Sequence, residues 1–245
     1  MEAGSVTESQ AQDMHLNLPL PPPQFELAID EVHVWGASLR NTEADFAAGL
    51  ELLCEEERAR AAKYHFARDR RDFVARRSLL RSILGHYLKT EPSEVSLAYE
   101  LLGKPRLASP DGSPPPPHFS FSHSRGLAVC AVSRFAPLGV DVEKLRPMPE
   151  MDEIGAAFCS VGENAEINAA PPEGKLEVFF RLWTRKEAYL KATGEGIAGN
   201  LAQLDCSAAP PGWSFVPLSP APGFVGALAC ASAAIRTHCW QWVGR

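Results

Sequence analysis

The sequence lacks several features that would place it among membrane, secreted or metal-thiolate proteins. Its apolar residues form no run long enough to span a bilayer, and residues 1–17 lack the basic and apolar regions of a secretory signal. The six cysteines are scattered and include no C-x-x-C pair, which argues against a zinc–thiolate motif and a disulfide framework. A cytoplasmic protein without a membrane partner is therefore expected.

An excess of positive charge is also missing. The formal net charge is -6 and the sequence pI is about 5.7, so nothing in the overall balance indicates a nucleic-acid partner, and any basic site must be local. With 245 residues and 45% hydrophobic content, the chain is large enough for one large domain or two closely packed halves.

Strands are predicted near both ends of the chain. Residues 1–24 are predicted to be a flexible tail, because prolines between positions 19 and 23 favour an extended chain. Partial alternation predicts the first strand over residues 25–35, and Thr42 followed by acidic residues predicts a helix start. Three more strands are predicted over residues 213–218, 224–233 and 235–243.

The most basic part of the sequence is residues 58–81. Its cations are Arg58, Arg60, Lys63, Arg68, Arg70, Arg71, Arg76, Arg77 and Arg81. Within the stretch only Asp69 and Asp72 can balance them, while apolar residues recur at helical spacing. A solvated helix with ion pairs is one interpretation. A helix that binds an anionic group is the other, since guanidinium donates two parallel hydrogen bonds to phosphate.

Two carboxylates stand on one predicted strand. Residues 118–124 and 127–132 are predicted to form a hairpin, and Asp141 and Glu143 lie on the strand after it, pointing to one side while Val140 and Val142 face the core. Such carboxylates repel unless a cation separates them, and hard oxygen ligands suit Mg²⁺ or Mn²⁺. A polar face on an edge strand explains the same pattern equally well.

Residues 179–197 are predicted to form an amphipathic helix. Apolar residues recur at helical spacing, and Gly194 and Gly196 fit a C-terminal exit. Glu187 and Lys191 are four residues apart and so share a face. From this stretch alone a surface ion pair is favoured, and a metal ligand beside a phosphate contact is the alternative.

The order of these motifs carries a resemblance. The basic stretch is followed by Gly103-Lys104-Pro105, a Phe-x-x-Ser-His-Ser hairpin, a Gly-x-Asp-x-Glu strand, and a Trp-x-x-Lys-Glu-Ala-x-x-Lys helix ending in Gly-x-Gly. Over about residues 30–233 this order resembles the 4′-phosphopantetheinyl transferases of the Sfp type, which activate acyl and peptidyl carrier proteins. The last two motifs are the specific part, because each fixes several residues.

The resemblance implies a fold and a division of the chain. The fold would be α+β, with two similar α/β halves in a pseudo-twofold arrangement, in a monomer. The halves would be residues 25–136 and 137–245, with the active site and coenzyme A between them.

The resemblance also implies the site residues. Asp141, Glu143 and Glu187 would bind Mg²⁺, or Mn²⁺ in its place. Coenzyme A would be bound by Arg60, Lys104, Ser122, His123 and Lys191. The implied catalytic residues are Glu187, as ligand or general base, Lys191, which would neutralise charge at the leaving nucleotide, and His123 at the pyrophosphate. Arg60 and Lys104 would lie at the 3′-phosphate.

Three positions depart from the family pattern. Ser120 stands where the family commonly has asparagine, Phe73 where relatives can carry a hydroxyl, and Glu57 where they can carry lysine. The resemblance therefore leaves open the hydrogen bonding of the hairpin and the residues that hold the 3′-phosphate.

The implied reaction transfers 4′-phosphopantetheine from coenzyme A to a serine of an acyl or peptidyl carrier protein and releases adenosine 3′,5′-bisphosphate. One alternative is a non-catalytic nucleotide or nucleic-acid binder built on residues 58–81, which the net charge of -6 disfavours. Another is a scaffold that only binds coenzyme A or a carrier, which the intact set of acids and lysine disfavours.

Overall fold

The structure is a computed structural model that describes residues 14–39, 42–100, 102–109, 115–196 and 201–244. Helices and strands are mixed along the described chain, as expected for the α+β class. The first part of the predicted tail, residues 1–13, lies outside the described residues. No helix among the described residues is both long and apolar enough to cross a membrane.

The first half contains a long helix and most of one sheet. Its elements are β1 (Glu31–Ser38), α1 (Glu43–Glu51), α2 (Glu55–Ala62), α3 (Ala67–Leu88), β2 (Leu97–Tyr99), β3 (Pro105–Leu107), β4 (His118–Ser124) and β5 (Leu127–Ser133). The predicted helix start at Thr42 is confirmed, because its hydroxyl accepts from the Asp45 N–H while the Asp45 carboxylate accepts from the Thr42 N–H. The basic stretch, predicted as one helix, is instead divided between α2 and α3.

The second half is built around its last helix. Its elements are β6 (Leu138–Lys144), α4 (Met151–Phe158), α5 (Val161–Ala169), α6 (Lys175–Thr193), β7 (Ser214–Leu218), β8 (Phe224–Cys230) and β9 (Arg236–Gln241). Helix α6 stops at Gly194, whose φ of 77° lies in the left-handed region that glycine tolerates best.

The described strands form three sheets. A four-stranded sheet has the order β4-β5-β1-β9, a three-stranded antiparallel sheet has the order β6-β8-β7, and β2 pairs with β3. Strand β1 is antiparallel to β5 and parallel to β9. The first strand begins at Glu31 rather than residue 25, because Arg236 of β9 is the first residue that pairs with it. The final strand thus belongs to the sheet of the first half.

The hairpin prediction is confirmed by β4 and β5. The strands pair from His118 with Ser133 to Ser124 with Leu127, and the turn between them places Arg125 and Gly126 at positive φ. All residues of β5 are buried, because both faces of its sheet are covered.

One core cluster joins the two halves. Val34 and Val129 of the four-stranded sheet pack in the same cluster as Val140 and Leu228 of the three-stranded sheet. On the opposite face, Trp35 and Val132 pack with the α3 residues Leu80, Ile83 and Leu84. Each fully buried aliphatic side chain contributes roughly 1.5–3 kcal/mol of transfer free energy, so this shared core fixes the halves against each other.

Helix α6 lies directly against β6 because β6 carries Gly139. A Cβ atom at Gly139 would stand 2.0 Å from the Ala188 carbonyl oxygen and 2.6 Å from the Ala192 nitrogen, both in the α6 backbone. This close approach brings the acidic strand beside the face of α6 that carries Glu187 and Lys191.

The described part of the predicted tail is bonded to the rest of the chain. The Asn17 N–H donates to the Pro220 carbonyl at 2.8 Å, and the Gln241 N–H donates to the Pro19 carbonyl at 2.8 Å. The segment from Met14 onward therefore crosses from the loop before β8 to β9.

Candidate active site

Three serines of β4 meet the acidic strand β6. Ser120, Ser122 and Ser124 occupy alternate positions of β4 and so share one side of it. The Ser120 hydroxyl accepts from the Val140 N–H at 3.0 Å. The hydroxyls of Ser122 and Ser124 donate to Asp141 Oδ1 and Glu143 Oε2, each at 2.7 Å. These hydroxyls hold the acidic strand beside the hairpin, and the Ser120 hydroxyl makes the hydrogen bond that the departure from asparagine had left open.

The acidic strand has the predicted division of its faces. Val140 and Val142 are fully buried in the shared core, while Asp141 is buried and Glu143 half-buried on the other side. Burial raises the pKa of Glu143; the Ser124 hydrogen bond opposes this and the charge of Asp141 adds to it. The polar side of this strand is therefore not exposed to solvent. Both carboxylates are partly desolvated where β6 meets β4 and α6, which we call the junction.

Lys191 of α6 pairs with Asp141 of the neighbouring strand β6. Its Nζ donates to Asp141 Oδ1 at 2.6 Å, to the Ser122 hydroxyl at 3.2 Å and to the Val140 carbonyl at 3.3 Å. The surface pair with Glu187, favoured from the helix alone, is not among the ion pairs of the described residues. Tertiary packing thus directs Lys191 toward Asp141 and Ser122 instead of toward Glu187 on its own helix.

Glu187 faces the same acids. Burial raises its pKa, and the charges of Asp141 and Glu143 add to this while Lys191 opposes it. The group thus contains three carboxylates beside one ammonium. Such an excess of negative charge at a half-buried position favours protonation or the arrival of a cation.

One atom in this group has no partner. Asp141 Oδ2 is buried and makes no hydrogen bond within the described part of the chain. A buried acceptor without a partner costs about 1–3 kcal/mol, and more when it is charged. The orphaned oxygen and the hard donor set fit a divalent cation. Even so, no three acidic, histidine or cysteine side chains among the described residues already stand in a metal-holding arrangement.

His123 contacts an arginine that the sequence did not single out. A terminal nitrogen of Arg76 lies 2.6 Å from His123 Nε2. Burial lowers the pKa of His123 to about 4, and the charges of Arg76 and Lys191 act in the same direction. The ring is therefore neutral near pH 7. Nothing in the sequence distinguished Arg76 from its basic neighbours, whereas Ser124 was visible in the serine alternation.

Lys104 spans the junction at the end of α6. Its Nζ donates to the Ala192 carbonyl at 3.3 Å, near the negative end of the helix dipole. Burial lowers its pKa, and Glu100 opposes this. A cleft of about 300 Å³ brings Lys104 together with Glu187 and Lys191; Arg60, His123, Asp141 and Glu143 are not among the residues that line it.

The basic stretch is better balanced than the sequence indicated. Glu57 is buried and forms ion pairs with both Arg77 and Arg81. Arg81 also donates to the carbonyls of Pro92 and Val95, so it is a structural residue. The expectation that only Asp69 and Asp72 balance the cations was therefore wrong, since α1 and α2 supply further acids.

The predicted 3′-phosphate residue Arg60 lies beside a departure from the family pattern. Its guanidinium stands 5.3 Å from the centroid of the Phe73 ring. Phe73 thus offers Arg60 an aromatic face instead of a hydroxyl. Phosphate binding by Arg60 stays a prediction.

The buried lysine of the helix motif has a structural role. Lys186 Nζ donates to Glu163 Oε2 at 2.6 Å and to the Leu201 carbonyl at 2.8 Å. Glu163 is fully buried and also accepts from the Cys206 N–H. This network ties α5 and the segment after α6 to the helix that carries Glu187.

Comparison with known proteins assigns the chain to a family of transferases. Residues 137–216 match the family described as the 4′-phosphopantetheinyl transferase superfamily, and residues 37–134 match the one described as 4′-phosphopantetheinyl transferase, N-terminal. The chain belongs to the 4′-phosphopantetheinyl transferase family.

Individual relatives match between about half and nine tenths of the chain. The 4′-phosphopantetheinyl transferase HetI of Nostoc sp. is 38% identical over 233 residues, which cover 90% of this chain and 96% of HetI. Sfp of Bacillus subtilis is 27% identical over 149 residues, covering 61% of this chain and 63% of Sfp. AcpT of Escherichia coli K12 is 36% identical over 125 residues, covering 51% of this chain and 60% of AcpT.

Proposed function

We propose that this chain transfers the 4′-phosphopantetheine group of coenzyme A to a serine hydroxyl of an acyl or peptidyl carrier protein. The carrier serine oxygen forms a bond to the β-phosphorus, the bond to the α-phosphate oxygen breaks, and adenosine 3′,5′-bisphosphate leaves. The serine proton passes to a base. The observation that carries the proposal is the ion pair of Lys191 with the buried Asp141, whose second oxygen has no partner among the described residues.

The metal assignment rests on the acids around that oxygen. Asp141, Glu143 and Glu187 would hold Mg²⁺, or Mn²⁺ in its place, since all offer hard oxygen donors. Bound metal would supply charge neutralisation at the diphosphate. Closing a ligand set around Asp141 Oδ2 requires movement of the acidic side chains, since they are not already arranged as one.

The residues of the chain have separable roles in this proposal. The Lys191 ammonium would stabilise the charge that develops on the leaving phosphate. Glu187 has a raised pKa and lines the cleft, which suits a group that accepts the serine proton as well as one that binds metal.

Coenzyme A would lie along the junction. The residues proposed to hold it come from both halves: Lys104, Ser122 and His123 from the first, and Lys191 from the second. Of these, Lys104 and Lys191 line the cleft, and Arg60 of α2 is the proposed contact of the 3′-phosphate. The alternative of a long polyanion bound to α2 and α3 loses support, because Arg71, Arg77 and Arg81 already form ion pairs with acids of the chain.

The test is the intact mass of an apo carrier protein after incubation with the chain, coenzyme A and Mg²⁺. A gain of one phosphopantetheine group is expected, and EDTA should abolish it. Glu187→Gln should lower the rate by about 100-fold or more, the effect of removing one oriented charge-stabilising group. Glu177→Gln is the matched control, because Glu177 is an exposed acid on the same helix.

Several carriers should be offered, from fatty-acid, polyketide and peptide synthesis. Full activity of Glu187→Gln would remove the proposed role of that residue. Absence of transfer to every carrier, together with absence of coenzyme A binding by calorimetry, would reject the function. Acidic carriers are expected to associate more slowly at high salt.

A further inference from the structure

Arg76 is set apart from the other cations of the basic stretch by what its guanidinium contacts. Other guanidinium groups of the stretch lie against acids or rings of the first half: Arg68 at Asp72, Arg71 at Glu43, Arg77 and Arg81 at Glu57, Arg60 at Phe73 and Arg70 at Phe46. Arg76 instead meets His123, a residue of the candidate site.

The contact fixes which ring nitrogen carries the proton. Guanidinium has only donors, so His123 Nε2, at 2.6 Å from the Arg76 terminal nitrogen, must accept. A neutral imidazole has one ring proton, which must then sit on Nδ1. Arg76 is itself held by its own helix, because its Nε donates to the Asp72 carbonyl at 2.9 Å.

We propose that Arg76 is a positioning residue for coenzyme A, which holds His123 as a neutral Nδ1–H donor toward a phosphate group. This inference rests on the proposed function, in which His123 contacts the coenzyme A diphosphate. Without Arg76 the neutral ring would be free to take the Nε2–H tautomer that histidine favours in water. Its Nδ1 would then be an acceptor, which cannot form a hydrogen bond with a phosphate oxygen that is also an acceptor.

The groups around His123 support a neutral ring. The charges of Arg76 and Lys191 disfavour a second ring proton, Asp72 opposes them, and the Phe121 ring lies 6.4 Å away centroid to centroid. Arg76 also has N–H donors that could bind a ligand, since its second terminal nitrogen makes no hydrogen bond with the described residues. The guanidinium can therefore hold the ring and still contribute charge to the same phosphate.

The first test reads the tautomer directly. Two-bond ¹H–¹⁵N spectra of ¹⁵N-histidine protein, assigned with His123→Gln, should show His123 as the Nδ1–H form from pH 5 to 8. Arg76→Leu should shift the ring toward Nε2–H and raise its pKa. Arg76→Lys keeps a donor and a charge and should retain Nδ1–H. An unchanged tautomer in Arg76→Leu would overturn the inference.

The second test measures coenzyme A binding by calorimetry. Arg76→Leu should weaken coenzyme A binding about tenfold, which is the typical effect on affinity of losing one hydrogen bond to a charged group. Arg71→Leu removes the same charge from the same helix without touching the site, and should change the affinity less than about twofold.

A double-mutant cycle separates action through His123 from a general charge effect. In a His123→Gln background, Arg76→Leu should cost clearly less than in the wild type. An equal cost in both backgrounds would show that Arg76 does not act through the ring and would reject the inference. Wild-type protein that fails to bind coenzyme A would reject the proposed function instead, while the tautomer measurement would still report on the Arg76 contact.

Discussion

The carboxylate of Asp141 has two oxygens in contrasting surroundings. Oδ1 accepts from Ser122 and Lys191, whereas Oδ2 is buried without a partner among the described residues. Lys191 is therefore the cation that makes this buried acid tolerable when no other cation is bound.

Lys191→Met is expected to lower the free energy of unfolding by about 1–2 kcal/mol, a value discounted because the Lys191 side chain is 32% exposed. It should also make Mg²⁺ more stabilising, since the acids lose their internal counterion. Thermal unfolding with and without Mg²⁺ measures both effects. Asp141→Asn is the control, and an equal Mg²⁺ response in all three proteins would contradict the metal assignment.

His33 is a second buried titratable residue, remote from the site. Its side chain is 1% exposed, and its Nδ1 lies 2.8 Å from the Tyr87 hydroxyl oxygen, which accepts from the Trp35 indole N–H. Burial lowers the pKa of His33 to about 4, although Glu31 opposes this. The folded protein thus keeps this ring neutral where the unfolded chain would protonate it.

Stability is therefore expected to fall as the pH is lowered from about 6.5 to 4, because in that window the unfolded state binds more protons. His33 contributes at most about 3 kcal/mol to this loss. Urea unfolding at several pH values measures it, and His33→Asn should flatten the curve. His238→Asn, at a ring that is 43% exposed, should leave the curve close to that of the wild type.

At the scale of elements, the site depends on how closely α6 approaches β6. That approach exists because Gly139 has no side chain, and backbone atoms of α6 occupy the space where a Cβ would stand. The serines of β4 fix the other edge of β6. The acids of β6 are thus held between the helix α6 of the second half and the β4–β5 hairpin of the first half.

Gly139→Ala should lower the free energy of unfolding by about 1–3 kcal/mol, as overpacking does, and reduce the transfer rate by separating Lys191 from Asp141. Differential scanning calorimetry and the mass assay measure the two effects. Gly174→Ala is the matched control, because its nearest atoms lie at an ordinary 3.5 Å. Wild-type stability of Gly139→Ala would mean that α6 is not held at this distance.

At the scale of the whole molecule, the two halves share a core and a strand. The cluster around Val34 and Val140 contains residues of both sheets, and β9 from the end of the chain pairs with β1. The boundary between residues 136 and 137 stays a prediction. The parts on either side of it pack against each other in the shared core.

Unfolding is expected to be a single cooperative transition. Urea curves followed by tryptophan fluorescence and by far-ultraviolet circular dichroism should coincide, since neither sheet can lose its partner without exposing the shared core. Two separated transitions would show that the halves fold as independent units.

The local features of the molecule could be predicted from the amino-acid pattern. Alternation placed Val140 and Val142 opposite the acids, glycine ended α6 at Gly194, and the order of motifs indicated the family. These features depend on residues close together in the chain, whose geometry follows from strand and helix periodicity. For the same reason the start of β1, set by the distant strand β9, was predicted six residues too early.

Which charged side chains pair with each other depends on the packing of distant elements. Lys191 pairs with Asp141, 50 residues away, rather than with Glu187 one turn away on its own helix. Glu57 takes up Arg77 and Arg81, and Arg76 reaches His123, 47 residues along the chain. A sequence pattern cannot distinguish one arginine or lysine from another of the same type. The packing of α3 and α6 against the strands determines which partner each of them reaches.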